Sequence, residues 1–258
     1  LDTSTQGLRV RDHSYRERLL QAGVKARKQL GAHALYYGMN VSSTQGSTQS
    51  FSVDRGIATA VPKGPDTRTT RWGVFVHDSM VLGALTLTPA LRYESVDMDA
   101  DTGAVDTAAA GVKGSSKRYT AWMPQVGAQW QLAGSAQVFA NYARGFRPPT
   151  AGELNNFFGN VTPYYGYYIL PNPDLKAETS NHFDLGLRGH GGALQWEAAA
   201  FYGRFQNFIE RYASTGTMGT RPVITLQQSR NQASATLKGV ELKGRAQLGR
   251  SWGGAWTL

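Results

Sequence analysis

Apolar and polar residues alternate with a period of two along most of the chain, and no stretch shows a sustained helical period. The clearest alternating stretches are 21–29, 85–94, 122–132 and 240–248. Several candidate strands run for about 10–15 residues, whereas strands of soluble proteins usually have about 5–6. A strand that crosses a membrane needs roughly 9–11 residues. The pattern therefore predicts an all-β protein with strands long enough to span a bilayer.

The connections between these strands alternate between short and long. Short connections are expected at 30–32, 82–83, 132–135, 189–193 and 249–252. Long connections are expected at 42–69, 97–117, 147–179 and 211–234. This alternation is typical of outer-membrane barrels, which have short periplasmic turns and long extracellular loops. We therefore predict a transmembrane antiparallel β-barrel segment of about eleven strands, with a partial strand at 7–11, an outward loop at His13 and the four long loops outside the cell.

Aromatic residues occur near many predicted strand ends, including Trp72, Tyr93, Trp122, Trp130 and Trp196. Aromatic girdles mark the two membrane interfaces of a barrel. A soluble β core is the alternative interpretation, since such cores also use aromatics. The polar face opposite each apolar face favours the girdle.

Composition narrows the class further. The chain has 258 residues, no cysteine and a formal charge of +9. It contains no apolar run of about 18 residues, so a transmembrane helix is not expected. Basic residues are spread along the strands without a recognisable motif, so no nucleic acid partner is predicted. The positive charge suits an anionic ligand or outer-membrane lipid phosphates. No signal peptide opens the chain, which we interpret as an internal fragment of a longer protein.

The most informative stretch is the long connection at 147–179. Proline clusters stand at both of its ends, and proline cannot donate a hydrogen bond to a strand ladder. Connections longer than about 12–15 residues are usually functional or disordered. This one carries six aromatic residues, too many for simple disorder: Phe157, Phe158, Tyr164, Tyr165, Tyr167 and Tyr168. We predict that it is a binding loop.

The two ends of this loop also resemble a known pair of signatures. The first is Phe146-Arg147-Pro148-Pro149 and the second is Asn172-Pro173-Asp174-Leu175. Together they are similar to the pair that brackets a large extracellular loop in TonB-dependent outer-membrane receptors, particularly the haem and haemoglobin branch. Pro65-Asp66-Thr67, followed by the run from Gly73 to Asp78, resembles a further signature of that branch.

The resemblance implies a barrel of twenty-two strands in a Gram-negative outer membrane. It also implies a plug domain and a TonB box, which this chain lacks, and energisation by a TonB–ExbB–ExbD complex. The expected ligand is haem or a haem protein, with a ferric siderophore as the alternative. No intrinsic cofactor is expected.

Candidate ligands for the iron of haem follow from the resemblance. Such receptors commonly place an axial histidine between the two signatures, but this chain has none between Phe146 and Asn172. A tyrosinate can replace it as an iron ligand. The candidates are Tyr164, Tyr165, Tyr167 and Tyr168, followed by His182 and His13. The tyrosines could instead pack the loop, and the signature residues could be architectural, with Arg147, Asp174 and Glu178 pairing across the loop base.

Other classes of protein fit less well. No Gly-x-Ser-x-Gly elbow or His-Glu-x-x-His motif is present, so we predict that the chain is not an enzyme. A passive diffusion porin would share the strand pattern but not the signature pair. A soluble adhesin of the β-solenoid or sandwich type is the third class.

Overall fold

The computed structural model describes residues 9–54, 57–60, 65–101, 115–132, 134–251 and 254–257, and nearly all of them lie in strands. The strands are β1 (Arg9–Leu30), β2 (His33–Asp54), β3 (Ile57–Ala60), β4 (Thr67–Leu82), β5 (Leu85–Ala100), β6 (Lys117–Gln131), β7 (Ala136–Arg147), β8 (Phe158–Val161), β9 (Gly166–Leu170), β10 (Glu178–Gly191), β11 (Leu194–Met218), β12 (Ile224–Ser251) and β13 (Gly254–Thr257). One short helix, α1, spans Ala151–Asn155. Among the described residues no helix is long and apolar enough to cross a membrane. The all-β prediction is confirmed.

Ten of these strands form one wall in chain order: β1, β2, β4, β5, β6, β7, β10, β11, β12 and β13. Each is antiparallel to the next, as expected for strands joined by simple turns. Strands β3, β8 and β9 lie within the connections. Within the described part of the chain β1 and β13 do not pair, so the wall is an open sheet.

The two faces of the wall differ sharply in polarity. On one face, which we call the outer face, rows of exposed apolar side chains follow one another across the strands, for example Val74, Leu91 and Val126. Trp72, Tyr93 and Trp122 form a row of touching rings on this face, with centroids 5.4 and 4.8 Å apart. The opposite, inner face carries the polar members of each strand. An exposed apolar band bordered by aromatics is the surface that a barrel wall presents to lipid.

Tight turns close one end of the wall. Glycine supplies the left-handed backbone that these turns need at Gly31, Gly83 and Gly192, with φ of 56°, 63° and 57°. The predicted short connections at 30–32, 82–83 and 189–193 are confirmed by these turns.

At the other end of the wall, the long loop predicted at 211–234 is wrong. The segment 211–234 is mostly strand, because β11 continues to Met218 and β12 begins at Ile224. Beyond the apolar band both faces of a strand meet water, so its residues are polar and resemble a loop in the sequence. Their main-chain groups still pair with each other across the two strands.

The same effect moves other predicted boundaries. Strand β2 extends to Asp54 and β5 to Ala100, so the connections predicted at 42–69 and 97–117 are shorter. Residues 55–56, 61–64 and 102–114 of these connections lie outside the described residues. His13 lies within β1, opposite Ser50 of β2, so the predicted outward loop there is wrong. The predicted partial strand at 7–11 is the beginning of β1, and the described wall has ten strands instead of about eleven. Of the four long connections, 147–179 alone keeps its predicted extent, from Arg147 at the end of β7 to Glu178 at the start of β10.

Candidate functional site

The loop between β7 and β10 begins with a capped helix. The Glu153 amide donates to the Thr150 hydroxyl at 3.1 Å, and the Thr150 amide donates to the Glu153 carboxylate at 2.8 Å. This reciprocal pair is a capping box, which satisfies main-chain donors at the start of α1. The spacing Thr150-x-x-Glu153 is visible in the sequence, and it is a signal that could have predicted the helix.

Arg147 ties the two ends of the loop together. Its guanidinium donates Nε and Nη2 to the two carboxylate oxygens of Glu178, at 2.7 and 2.6 Å. Its Nη1 lies 3.1 Å from Oε2 of Glu153. Arg211, from β11, donates Nε to Oε1 of Glu153 at 2.7 Å. Arg147 of the first signature therefore joins β7, α1 and β10, and Arg211 adds β11. We call this group the loop base (Arg147, Glu153, Glu178 and Arg211).

Charge within the loop base favours the ionised carboxylates. Burial raises the pKa of Glu153, but donors from the Thr150 main chain, Arg211 and Arg147 outweigh it, so the pKa lies below its ordinary value. The pKa of Glu178 is lowered in the same way, because the Arg147 side chain and the Ile209 amide donate to it against the opposing effect of burial. Hydrogen bonding to Glu178 raises the pKa of Arg147, so Arg147, Glu153 and Glu178 are charged at neutral pH.

Acid is therefore expected to loosen the loop. A carboxylate whose pKa is lowered by folding stabilises the fold fully above its ordinary value of 4.5, and this contribution is lost as the pH falls through the lowered pKa. We expect hydrogen exchange of the Asn172 amide, corrected for the intrinsic rate, to be slower at pH 6.5 than at about pH 3. Amides in the middle of β7 should keep their protection at both values. Equal Asn172 protection at the two pH values would mean that the carboxylates do not hold the loop.

A small apolar core lies directly beside the loop base. Leu154 of α1 and Leu175 of the second signature are both 0% exposed, and they pack with Val96, Met98, Tyr119 and Ile209. These four wall residues belong to the inner face, so the loop folds over the inner side of the wall. The Tyr119 hydroxyl donates to the Leu175 carbonyl at 2.9 Å, and burial raises the pKa of Tyr119 to about 12.

The second signature is held by hydrogen bonds in which at least one partner is a main-chain group. Asn172 donates its side-chain amide to the Ser229 carbonyl at 2.8 Å and accepts from the Asp174 amide at 2.9 Å. The second contact is a local turn that asparagine stabilises well. The Asn172 amide donates to the Leu154 carbonyl at 3.1 Å, and Lys117 donates to the Pro173 carbonyl at 2.7 Å.

The signature residues therefore have structural contacts in the loop. Pro148 and Pro149 are buried, and Phe146 packs against the apolar core. Of the three residues expected to pair across the loop base, Arg147 and Glu178 do so, whereas Asp174 is exposed and contributes its main-chain amide. Sequence reasoning did not find Glu153 and Arg211 as members of the base. Arg211 is 58 positions from Glu153, and no local pattern reveals that contact.

The tyrosines divide into two pairs. Strands β8 and β9 form a hairpin whose turn is closed by Thr162, which accepts from the Tyr165 amide at 3.1 Å and donates to its carbonyl at 2.8 Å. Tyr164 and Tyr165 stand at this turn and are 90% and 58% exposed. Tyr167 and Tyr168 lie in β9, half-buried, with their rings near Phe158 and Phe157. The first pair is free to meet a ligand, and the second pair packs the hairpin.

The hairpin is also attached to the wall. Strand β9 runs parallel to the beginning of β12, with Gly166 opposite Ile224 and Leu170 opposite Gln228. The side chain of Gln228 donates to the Pro171 carbonyl at 2.7 Å. The exposed tyrosines are thus carried by a hairpin that is attached to the wall through β9.

The two candidate histidines lie on wall strands. His182 is half-buried on the inner face of β10, with Nε2 3.0 Å from the Ser180 hydroxyl and its ring edge against Phe205. His13 lies on β1, at the opposite edge of the described sheet from the hairpin. Among the described residues no contact joins His182 to the four tyrosines, and the side chain of His13 lies outside what the structure describes. Within the same residues, no group of three or more histidine, aspartate or glutamate side chains is arranged to hold a metal ion.

Comparison with known proteins gives the family. The family model described as "TonB dependent receptor-like, beta-barrel" matches residues 2–258. The chain belongs to this family. The prediction made from the two loop signatures is confirmed, and the open sheet is a segment of the barrel wall of a TonB-dependent receptor.

Three similar proteins illustrate the family. The haemoglobin-haptoglobin utilization protein B of Neisseria meningitidis is 31% identical over 152 residues, which are 52% of this chain and 18% of that protein. The rhizobactin receptor of Rhizobium meliloti is 30% identical over 135 residues, 46% of this chain and 18% of that protein. The structure of the copper transporter OprC has a TM-score of 0.71 at 19% identity, and the match covers 93% of this chain and 36% of that one.

The chain spans about a fifth of the length of the two sequence relatives. Their names describe a utilization protein and a receptor, and the family consists of outer-membrane barrels that are not enzymes, as the sequence predicted. The twenty-two strands, the plug domain and the TonB box stay predictions.

Proposed function

We propose that this chain is part of an outer-membrane receptor that captures haem or a haem protein and takes it up with external energy. The strongest support is the alignment of 152 residues with a protein named for haemoglobin-haptoglobin utilization. Family membership sets aside the porin alternative, and the soluble adhesin with it.

The anchored hairpin gives the ligand a rigid contact surface. Tyr164 and Tyr165 project from a turn whose main chain is fixed by Thr162 and whose β9 flank pairs with β12 of the wall. Tyrosine supplies a large contact area at a small cost in side-chain entropy, which is why it is enriched at binding hot spots. Its phenolate is also an iron ligand in some haem proteins. We therefore propose Tyr164 and Tyr165 as the ligand contacts, with Tyr167 and Tyr168 supporting them. His182 remains the second candidate for the iron.

The long-loop end of the wall faces the outside of a Gram-negative cell, and the apolar outer face contacts lipid. A TonB–ExbB–ExbD complex acts on the plug domain, and its energy admits the ligand. The chain itself supplies the wall and the capture loop and needs no cofactor of its own.

A ferric siderophore is the second candidate ligand. The similarity to the rhizobactin receptor supports it, at 30% identity over 135 residues. An aromatic turn suits either ligand, since both are large iron-bearing molecules.

Titration of the detergent-purified full-length receptor tests the ligand. Haemin and haemoglobin are added separately, and binding is followed by the Soret band and by calorimetry. We expect saturable binding of at least one of them, weakened about tenfold or more by Tyr164→Ala with Tyr165→Ala, because buried aromatic anchors carry much of a binding free energy. The double Phe variant separates stacking from iron ligation, since only ligation changes the Soret band.

Tyr212→Ala is the matched control, because Tyr212 is an exposed tyrosine on β11 outside the hairpin. Saturable binding of a ferric siderophore, with none of haemin or haemoglobin, would replace the proposed ligand with the second candidate.

A further inference from the structure

A group of cations stands on the outer face just beyond the apolar band of β7, β10, β11 and β12. Arg144 of β7 and Arg204 of β11 share one row across the sheet, with Asn181 of β10 between them. Lys238 of β12 lies in the neighbouring row. All three cationic side chains are exposed. We call this group the cation row (Arg144, Arg204 and Lys238).

Aromatic side chains lie directly below Arg144 and Arg204, in the row that ends at Lys238. Tyr142, Phe183 and Tyr202 occupy facing positions in the row that ends at Lys238, two residues along each strand from the row of Arg144 and Arg204. Two residues of strand correspond to about 7 Å. The rings of Tyr142 and Phe183 are 4.9 Å apart, and the Tyr142 hydroxyl donates to Asn181 at 2.9 Å. The aromatic row therefore marks the boundary between the apolar band and the cations.

An apolar groove continues from the aromatic row into the band. Its volume is about 520 Å³. Three small residues, Ala128, Ala140 and Ala200, leave the space, and larger neighbours such as Leu185 and Val126 border it. Ala128 and Ala140 face each other on adjacent strands, and Leu185 of β10 lies between Ala140 and Ala200 in the same row. A groove of this kind fits an extended acyl chain.

Charge identifies the headgroup. Arg144, Arg204 and Lys238 form no ion pair with any described residue, whereas other outer-face cations do: Arg118 pairs with Asp97, and Arg230 pairs with Glu210. Glu210 is the only carboxylate on the outer face of β7, β10, β11 and β12 among the described residues, and it lies six residues beyond Arg204 on β11. Arginine and lysine without carboxylate partners are suited to phosphate, which guanidinium binds through two parallel hydrogen bonds.

From this juxtaposition we propose that the groove and the cation row form one binding site for an anionic, phosphate-bearing lipid of the outer leaflet. An acyl chain lies over Ala128, Ala140 and Ala200, the aromatic row contacts the glycerol or sugar region, and the phosphate meets Arg144, Arg204 and Lys238. The site rests on the proposed orientation of the long loops toward the outside. It is independent of the ligand loop, which lies on the inner face.

Native mass spectrometry of the detergent-purified full-length receptor tests the site. Phosphatidylglycerol and phosphatidylcholine with identical acyl chains are added in parallel, and the number of retained lipids is measured. We expect the anionic lipid to be retained preferentially. Replacing Arg144, Arg204 and Lys238 together with glutamine should reduce this retention by about fivefold per cation, roughly a hundredfold in all. Arg118→Gln, an outer-face arginine that already pairs with Asp97, is the matched control and should change nothing.

Further variants and probes keep the test decisive. Ala200→Phe fills the groove and leaves the charges intact, so it should reduce retention of the lipid as well. Inorganic phosphate at millimolar concentration should not displace the lipid, because it lacks the acyl chain. If the triple variant does not fold, Arg144→Gln and Arg204→Gln are measured singly, each with an expected loss of about fivefold.

Two results would overturn the proposal. One is equal retention of phosphatidylcholine and phosphatidylglycerol, which means ordinary annular lipid. The other is unchanged retention by the triple variant. Haemin binding by the same variants separates this site from the ligand loop, and it should equal that of the unaltered receptor whether or not haem is the transported ligand.

Discussion

Glu153→Ala is expected to release the loop between β7 and β10 while leaving the barrel wall intact. The Glu153 carboxylate is 3% exposed and accepts from Arg147, Arg211 and the Thr150 main chain. Removing one partner of a buried ion pair costs about 3–5 kcal/mol, and losing a helix cap costs about 1 kcal/mol. Arg147 and Arg211 are roughly half exposed, so water solvates the charges that are left and reduces the cost. We expect the free energy of loop opening to fall by about 2–3 kcal/mol.

Hydrogen exchange measures this change directly. The Leu154 and Asn172 amides donate within the loop, and their protection should fall about 30- to 150-fold, the equivalent of 2–3 kcal/mol. Glu153→Gln keeps the size of the side chain without its charge, so its effect should lie between those of alanine and the unaltered protein. Glu210→Ala, which removes an exposed partner of Arg230, is the control and should leave loop protection unchanged. Loop protection that survives Glu153→Ala would show that the apolar core alone holds the loop.

Leu175→Ala is the second change with a large expected effect. Leu175 is 0% exposed and packs with Val96, Met98 and Tyr119, so its truncation leaves a cavity that the flat wall cannot close. Buried leucine-to-alanine changes cost about 2–5 kcal/mol. The cost falls on the loop, because the wall residues keep their strand hydrogen bonds. We expect the amides of the second signature to lose protection from hydrogen exchange. The apparent affinity for the ligand should also fall, because a smaller fraction of the receptor has the closed loop that binds the ligand.

Two controls make the Leu175 result interpretable. Leu185→Ala removes a leucine that is exposed on the outer face, so it creates no cavity in the loop. On a detergent gel, the difference in mobility between the heated and the unheated barrel should be the same for both variants. A Leu175→Ala receptor that binds its ligand with unchanged affinity and keeps its loop protection would contradict the role given to the core.

Much of the fold could be predicted because strand alternation is a local signal. Alternate residues of a barrel strand face lipid and the inside of the barrel. The outer and inner faces of β5, β6 and β12 can therefore be predicted from their own sequences, without knowledge of the neighbouring strands. The alternation ends where both faces meet water, and the ends of β11 and β12 at 211–234 were missed for that reason. Charged residues surround His13 in the sequence and resemble a loop, whereas the ladder with β2 continues through it.

The loop shows a different limit. The proline clusters at its two ends and its aromatic residues are local sequence signals, and they predict its bounds at 147–179. Its interior depends on contacts between distant residues, such as Arg211 with Glu153 and Leu175 with Val96, which no local pattern contains. For the same reason the sequence presents four tyrosines as equivalent candidates. Only the hairpin separates exposed Tyr164 and Tyr165 from Tyr167 and Tyr168, which pack on Phe158 and Phe157.

The most direct measurement of the proposed function is growth with haemoglobin as the only iron source. A Gram-negative strain without its own haem receptors is given the full-length receptor, with or without a working TonB–ExbB–ExbD complex. We predict growth that requires both the receptor and the complex, and that weakens when Tyr164 and Tyr165 are replaced by alanine. Growth that needs the receptor but persists without the complex would contradict energised uptake. No growth on haemoglobin or haemin, together with receptor-dependent growth on a ferric siderophore, would contradict the proposed ligand.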